Sequence, residues 1–191
     1  MARPRLVEES ELLDAAMAAF WRGGYGGVST RALEEATGLS ASSLYHRYGS
    51  KEGLFTATLS HYIERIVAGR IGRYLQQDDA LAGLRGFFTS VYRTRDASRA
   101  CLLANTWNEL GTRLPAVTAV LVDGNRRLRG AFVDALRRGM TQGTLRTGLD
   151  ADVAAGYLLT ALQGLLLSAR VERDQAALDA QVELILGALR T

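Results

Sequence analysis

Between Ser29 and Lys51 the chain places Ser29, Thr30, Arg31, Ser42, Ser43, Tyr45, His46, Arg47 and Lys51. Hydroxyls, an imidazole and cationic side chains are the groups that donate to phosphate oxygens and to base edges. Bond-breaking chemistry has no comparable set. There is no HExxH, no GxxxxGK[ST] and no GxSxG, and the run GGYGG at residues 23–27 lacks both the GxGxxG spacing and a preceding strand. Two histidines, His46 and His61, with one distant cysteine, Cys101, fall short of a zinc set. The expectation is a binding protein, not an enzyme, with no cofactor and no metal.

Those donors need an element to aim them. In Thr30–Tyr48, TRALEEATGLSASSLYHRY, Leu33 and Ala36 face inward from a first helix, Gly38 makes a turn, Leu39 plugs it and Leu44 anchors a second helix. This spacing is that of a helix-turn-helix. It leaves Ala41, Ser42, Ser43, Tyr45, His46 and Arg47 outward, short or hydrogen-bonding groups suited to a helix in a major groove. An ordinary helical hairpin with a polar outer face has the same pattern. Ser29 and Ser40 stand where N-caps belong. A helix from about Glu8 to Arg22 precedes them, with Leu12, Leu13, Ala16, Met17 and Phe20 on one period, and the glycine run ends it. Gly49 and Ser50 break the chain before a long helix from Lys51 to about Leu75. Further helices are expected near residues 80–95, 99–110, 116–141, 150–170 and 174–189, with a loop at 143–148 and no strand signal. The predicted fold class is all-α, with about nine helices.

At 191 residues, 48% apolar and 23% charged, the chain can bury a full core without disulfides or metal. A formal charge of +3 decides little, but its distribution is uneven. Residues 1–74 hold 9 basic and 8 acidic groups, residues 85–148 hold 11 and 4, and residues 149–191 hold 3 and 6. Arginine supplies all the basic side chains except Lys51. A single cysteine suits a reducing compartment, the acidic start MARPRLVEESELL is unlike a signal peptide, and no uninterrupted run of 18 apolar residues occurs. A cytoplasmic protein without membrane insertion is expected.

The run Gly24–Phe55, GYGGVSTRALEEATGLSASSLYHRYGSKEGLF, resembles the DNA-binding domain of the TetR family of bacterial transcriptional regulators. The likeness rests on the glycine-rich approach at Tyr25 and Gly26, the helix-turn-helix, the pair Leu44 and Tyr45 with Tyr48 three residues on, and Ser50, Lys51 and Glu52 opening the fourth helix. Matched positions imply phosphate contacts from Tyr45 and His46, and from Lys51 at a helix start where free N–H groups also favour an anion. Ser29, Thr30 and Arg31 are further phosphate candidates, and Ser42 and Ser43 candidates for base edges. Ala41 stands where many members carry a basic residue, so no operator sequence carries over. Arg3 and Arg5 form either a basic arm along the backbone or minor groove, or a solvated tail.

The resemblance implies a helix-turn-helix domain over 1–50, continued by a connecting helix 51–75, and a ligand-binding and dimerisation domain over 76–191. It implies a homodimer on a palindromic double-stranded operator, commonly as a repressor, with a small-molecule effector held among the fifth to eighth helices. The last two helices carry more apolar surface than one internal seam needs, and the predicted dimer interface is Val153, Tyr157, Ala161, Leu165, Leu178, Val182, Ile185 and Leu186. Polar residues interleaved with aromatic ones give the predicted effector pocket: Phe88, Tyr92, Cys101, Asn105, Trp107, Asn108, Met140 and Gln163, with Glu109 among its polar candidates. The effector itself is not legible. A thiol sensor using Cys101 is the alternative regulator, and a helical adaptor binding protein through the arginine-rich middle is the alternative of another class.

Overall fold

The computed structural model of the chain describes residues 8–93, 101–172 and 174–190; Arg3 and Arg5 lie outside them. The described residues form nine helices and no strand when the connecting rod is counted once. α1 (Glu9–Gly27), α2 (Thr30–Thr37) and α3 (Ala41–Tyr48) make a small head. α4 starts as Lys51–Tyr62 and runs on as one rod through wider π-type turns at Ile63–Val67 and Ile71–Leu75, with Ala68–Arg70 between them. The body contains α5 (Ala80–Ser90), α6 (Leu102–Leu110), α7 (Pro115–Thr141), α8 (Ala151–Val171) and α9 (Gln175–Gly187).

Helix starts follow the side chains that can hold free N–H groups. Ser29, Ser40, Ser50, Asp79, Asp150 and Asp174 each accept a backbone N–H in the first turn of the helix they precede. α7 instead opens on Pro115, which has no N–H to satisfy. The glycine run does not end α1 where the sequence suggests. The helix breaks at Gly24, at φ +71°, and one more turn forms through Gly27.

Two buried clusters fill the molecule. One joins Leu12, Ala16 and Phe20 of α1, Leu33, Leu44, and Leu54, Phe55, Leu59 and Tyr62 of α4. It also takes in Leu102 and Leu110 of α6 and Val117 and Leu121 of α7, so the head shares its core with the body. The other centres on Phe87, Phe88 and Phe132, with the inner faces of α8 and α9. Ile71, Cys101 and Leu128 pack against both. The sequence division at residues 50 and 75 therefore does not mark a break in the core.

α8 is long and apolar enough to cross a membrane by length and composition. Its inner residues Ala155, Leu158, Leu162, Leu165 and Leu166 are instead buried against the rest of the body.

Candidate functional site

The face of α3 is built by one anchor and two caps. Leu44 is wholly buried beneath the helix. Ser40 accepts the Ser43 N–H at 3.3 Å, and the Glu34 carboxylate accepts the Ala41 N–H at 2.7 Å, tying the start of α3 to α2. Gly38 closes α2 at φ +70°, and its N–H donates to the Glu34 carbonyl. With Leu44 turned inward, Ser42, Ser43, His46 and Arg47 are exposed and Ala41 and Tyr45 half-buried.

Several predicted contacts come together here. The Thr30 hydroxyl, at the start of α2, lies 3.0 Å from the Tyr45 hydroxyl on α3. One hydrogen joins them, which leaves the other hydroxyl hydrogen available as a donor. Ser29 spends its hydroxyl oxygen on the Ala32 N–H. Ser43 also lies 3.0 Å from the Ser40 hydroxyl, whereas Ser42 has no hydrogen-bond partner among the described residues. Arg31 pairs with Glu35 at 3.0 Å, but both are largely exposed, so the pair holds the guanidinium only weakly.

Lys51 stands at the start of α4, as expected, and its side chain is anchored within the head. Its ammonium donates to the Val28 carbonyl at 2.5 Å and lies 4.9 Å above the Tyr25 ring. It therefore fastens the start of α4 to the approach of α2. Among the described residues no carboxylate forms an ion pair with it.

A feature unnoticed in the sequence sets the angle between α3 and α4. A Cβ on Gly53 would fall 1.9 Å from the Tyr48 carbonyl oxygen, so only glycine permits this approach. Tyr48 completes the corner with a hydroxyl that donates to Glu9 at 3.3 Å. Burial, then the nearby Glu9 charge, push that phenol above its ordinary range and keep it a donor. His61 and Arg65 of α4 both meet Asp14 of α1, which locks the first helix onto the rod.

The predicted effector residues separate into two groups. Asn105, Trp107 and Asn108 of α6 and Gln163 of α8 line one cavity of about 590 Å³, with Asn125, Thr160, Leu167 and Arg170 among its other walls. Phe88 and Tyr92 do not line it. Both are buried in the body core, and Tyr92 donates its hydroxyl to Asp179. Met140 packs against the same core. Aromatic and sulfur side chains went where burial is most favourable, which the alternation in sequence could not distinguish from a cavity wall. Cys101 is half-buried between the two cores, and its sulfur accepts the Tyr62 hydroxyl at 3.6 Å. Glu109 does not line that cavity; with Asn105 and Asn108 it lines a neighbouring one of about 620 Å³ against α1, whose walls include Trp21, Tyr25 and Arg170.

The residues expected at the dimer interface divide between the core and the surface of the single chain. Leu165, Leu178, Val182 and Leu186 are at most 3% exposed in the single chain, so they belong to its own core. Ala161 and Ile185 are half-buried. Val153 and Tyr157 do face outward, and with Thr160, Gly164, Leu167 and Val171 they form a stripe at steps of four and three along α8. That is the period of a helix seam. Val153 is 70%, Leu167 65% and Val171 79% exposed, and α9 adds Leu184 at 78%. A Cβ on Gly156, Gly164 or Gly187 would meet no atom within 4 Å, so this chain's own packing does not require glycine there.

A head with one donor-bearing helix and a body with one apolar seam define a class of paired DNA-binding regulators. Residues 12–58 match the model of bacterial regulatory proteins of the tetR family, and residues 79–185 match that of the tetracyclin repressor-like C-terminal domain. The chain belongs to the TetR family, and it is a dimeric DNA-binding transcriptional regulator, not an enzyme. It is 27% identical over 172 residues to the HTH-type transcriptional repressor ComR of Escherichia coli, covering 88% of this chain and 82% of that one. It is 28% identical to the repressor AcnR of Corynebacterium glutamicum, covering 94% and 91%. A cysteine-substituted form of the TetR-family regulator CifR, solved with 26-base-pair operator DNA, superposes with a TM-score of 0.84 at 31% identity, covering 98% and 100%.

Proposed function

We propose that the chain is a ligand-released repressor that binds a palindromic operator as a homodimer. The observation that carries this reading is the α3 face: free Ser42 and His46, with the Thr30–Tyr45 hydroxyl pair, over a single buried Leu44. Ser42 and Ser43 read base edges, while Ser29, Thr30, Arg31, Tyr45, His46 and Lys51 hold phosphates around them, and Ala41 lets the backbone approach. One such helix makes too few contacts for a long site. Pairing two copies through the α8 stripe and Leu184 sets two α3 helices against successive major grooves, about 34–36 Å apart or a multiple of it.

Functionally the head spans 1–50, the rod 51–75 and the sensing body 76–191, and the protein works in the cytoplasm. The effector site is the cavity of Asn105, Trp107, Asn108 and Gln163, whose indole and amides suit a small molecule with an apolar body and a few polar groups. A ligand that favours another spacing of the heads lowers operator affinity without covering the α3 face. The test is selection of bound fragments from the source genome, followed by release assays with compounds related to the adjacent genes. Recovery of no fragment overturns the reading.

The contact between Tyr62 and the Cys101 sulfur favours a second reading, in which a reactive thiol is the sensor. Burial foremost, and then the thiol, push the Tyr62 phenol up and keep it a donor to sulfur. Cys101→Ser separates the two: a released wild type and an unreleased variant would establish the thiol as the sensor.

A further inference from the structure

The break at Gly24 gives the turn Tyr25–Gly27 a fresh helix start, whose first N–H groups have no carbonyl one turn behind them. A single side chain from the body accepts two of them. Glu109, in the last turn of α6, takes the Tyr25 N–H on Oε2 at 2.9 Å and the Gly26 N–H on Oε1 at 2.6 Å. Both bonds are charge-assisted, the stronger kind. They join residues 84 and 83 positions apart. A Cβ on Gly24 would lie 2.7 Å from Glu109 Oε2, so glycine is needed there both for its positive φ and for the carboxylate's access.

The segment that Glu109 grips reaches both helices that flank the reading face. The Tyr25 ring packs 5.0 Å from Phe55 of α4, beneath the Lys51 ammonium, which in turn holds the Val28 carbonyl beside the cap of α2. On the other side, Asn108 precedes Glu109 and Asn105 lies one turn before it on α6, and both line the cavity described above. We propose that Glu109 is the positioning residue that sets the angle of the reading head on α6 and carries a displacement of α6 to it. This rests on the reading of a dimer on a palindrome. A ligand that moves Asn105 and Asn108 moves the carboxylate with them, and the head follows through its backbone.

The experiment uses the full-length dimer, with affinities read on unlabelled protein, spin labels at the exposed Glu11→Cys on α1, away from the α3 face, in a Cys101→Ser background, and a palindromic duplex selected from random sequence with the wild type. Labelled dimers should show a narrow distribution of head-to-head distances, and Glu109→Ala should broaden it. Affinity for the palindrome should fall about tenfold, because the two heads lose their preset spacing, while affinity for an isolated half-site stays within about twofold. Glu109→Gln, which keeps one acceptor, should fall between. Gly26→Ala, whose Cβ would lie 3.2 Å from Glu109 Oε1 at a φ that alanine adopts without strain, should lower the palindrome-to-half-site ratio by itself and add nothing to it in the Glu109→Ala background. Unchanged distances and affinity, equal losses on palindrome and half-site, or additive losses in the double variant would each overturn the inference. A wild type that binds no palindrome would instead overturn the repressor reading.

Discussion

The outward faces of α3 and α8 are both exposed, and their chemistry is opposite. α3 shows hydroxyls, an imidazole and a guanidinium over one buried leucine, whereas α8 shows valine, tyrosine and leucine with glycine between them. On the proposed reading α3 holds a polyanion by donors and charge, and that binding should weaken as salt rises. On the same reading α8 holds a second copy by removal of apolar area from water, and that pairing should tolerate salt. The two faces also differ in how they are supported. Local caps and one anchor fix α3, while the whole body core stands behind α8.

The largest effect should come from charging the seam. Leu167→Glu with Leu184→Glu should convert the dimer to monomers in sedimentation measurements and lower operator affinity by at least about 100-fold, the loss of a tethered second head. An intact dimer would move the interface away from α8. Gly53→Ala should come next, destabilising the head by about 3 kcal/mol through the clash with the Tyr48 carbonyl. Hydrogen exchange should then rise in α3 while α8 and α9 keep their protection. Equal losses in both regions would deny the head its separate support.

Smaller effects distinguish roles within the α3 face. Lys51→Ala should weaken binding to every sequence about tenfold and reduce the salt slope by about one charge. Ser42→Ala should leave the slope alone and change preference at one base pair by about 1 kcal/mol, read by competition between duplexes. The smallest concerns acid. Hydrogen bonds from Tyr92 to Asp179 and from Arg85 to Glu183 are the main causes that hold these carboxyls below their ordinary values of 3.8 and 4.5. A depressed carboxyl gives its full stabilisation above the ordinary value and loses it as pH falls through the folded one. Urea melts should therefore show the contact of α5 with α9 weakening only on acidification below those values.

The head was legible because its signals are local. Ser29, Ser40 and Ser50 cap the helices they precede, and Leu33 and Leu44 point inward as their spacing requires. The body was legible only as a set of helices. On α8 and α9 both faces are apolar, so composition could not tell Leu165, which the core buries, from Leu167, which it exposes. The four-and-three spacing from Val153 to Val171 was the available signal. Phe88, Tyr92 and Met140 were assigned to a cavity because alternation with polar residues does not reveal which side of a helix meets a neighbour. Glu109 depends on a partner that the chain reaches only by folding back, an amide 83 residues away, whereas the carbonyl that demands Gly53 is the nearby Tyr48, and its approach depends on the angle of the corner between α3 and α4.

Hydroxyl-radical and guanine-methylation footprinting of a selected duplex tests the central claim most directly. Two protected patches on one face of the DNA, with major-groove protection at both and centres an integral number of helical turns apart, are the predicted result. A single unrepeated patch, or protection confined to the minor groove, would contradict a dimer that reads DNA through two α3 helices.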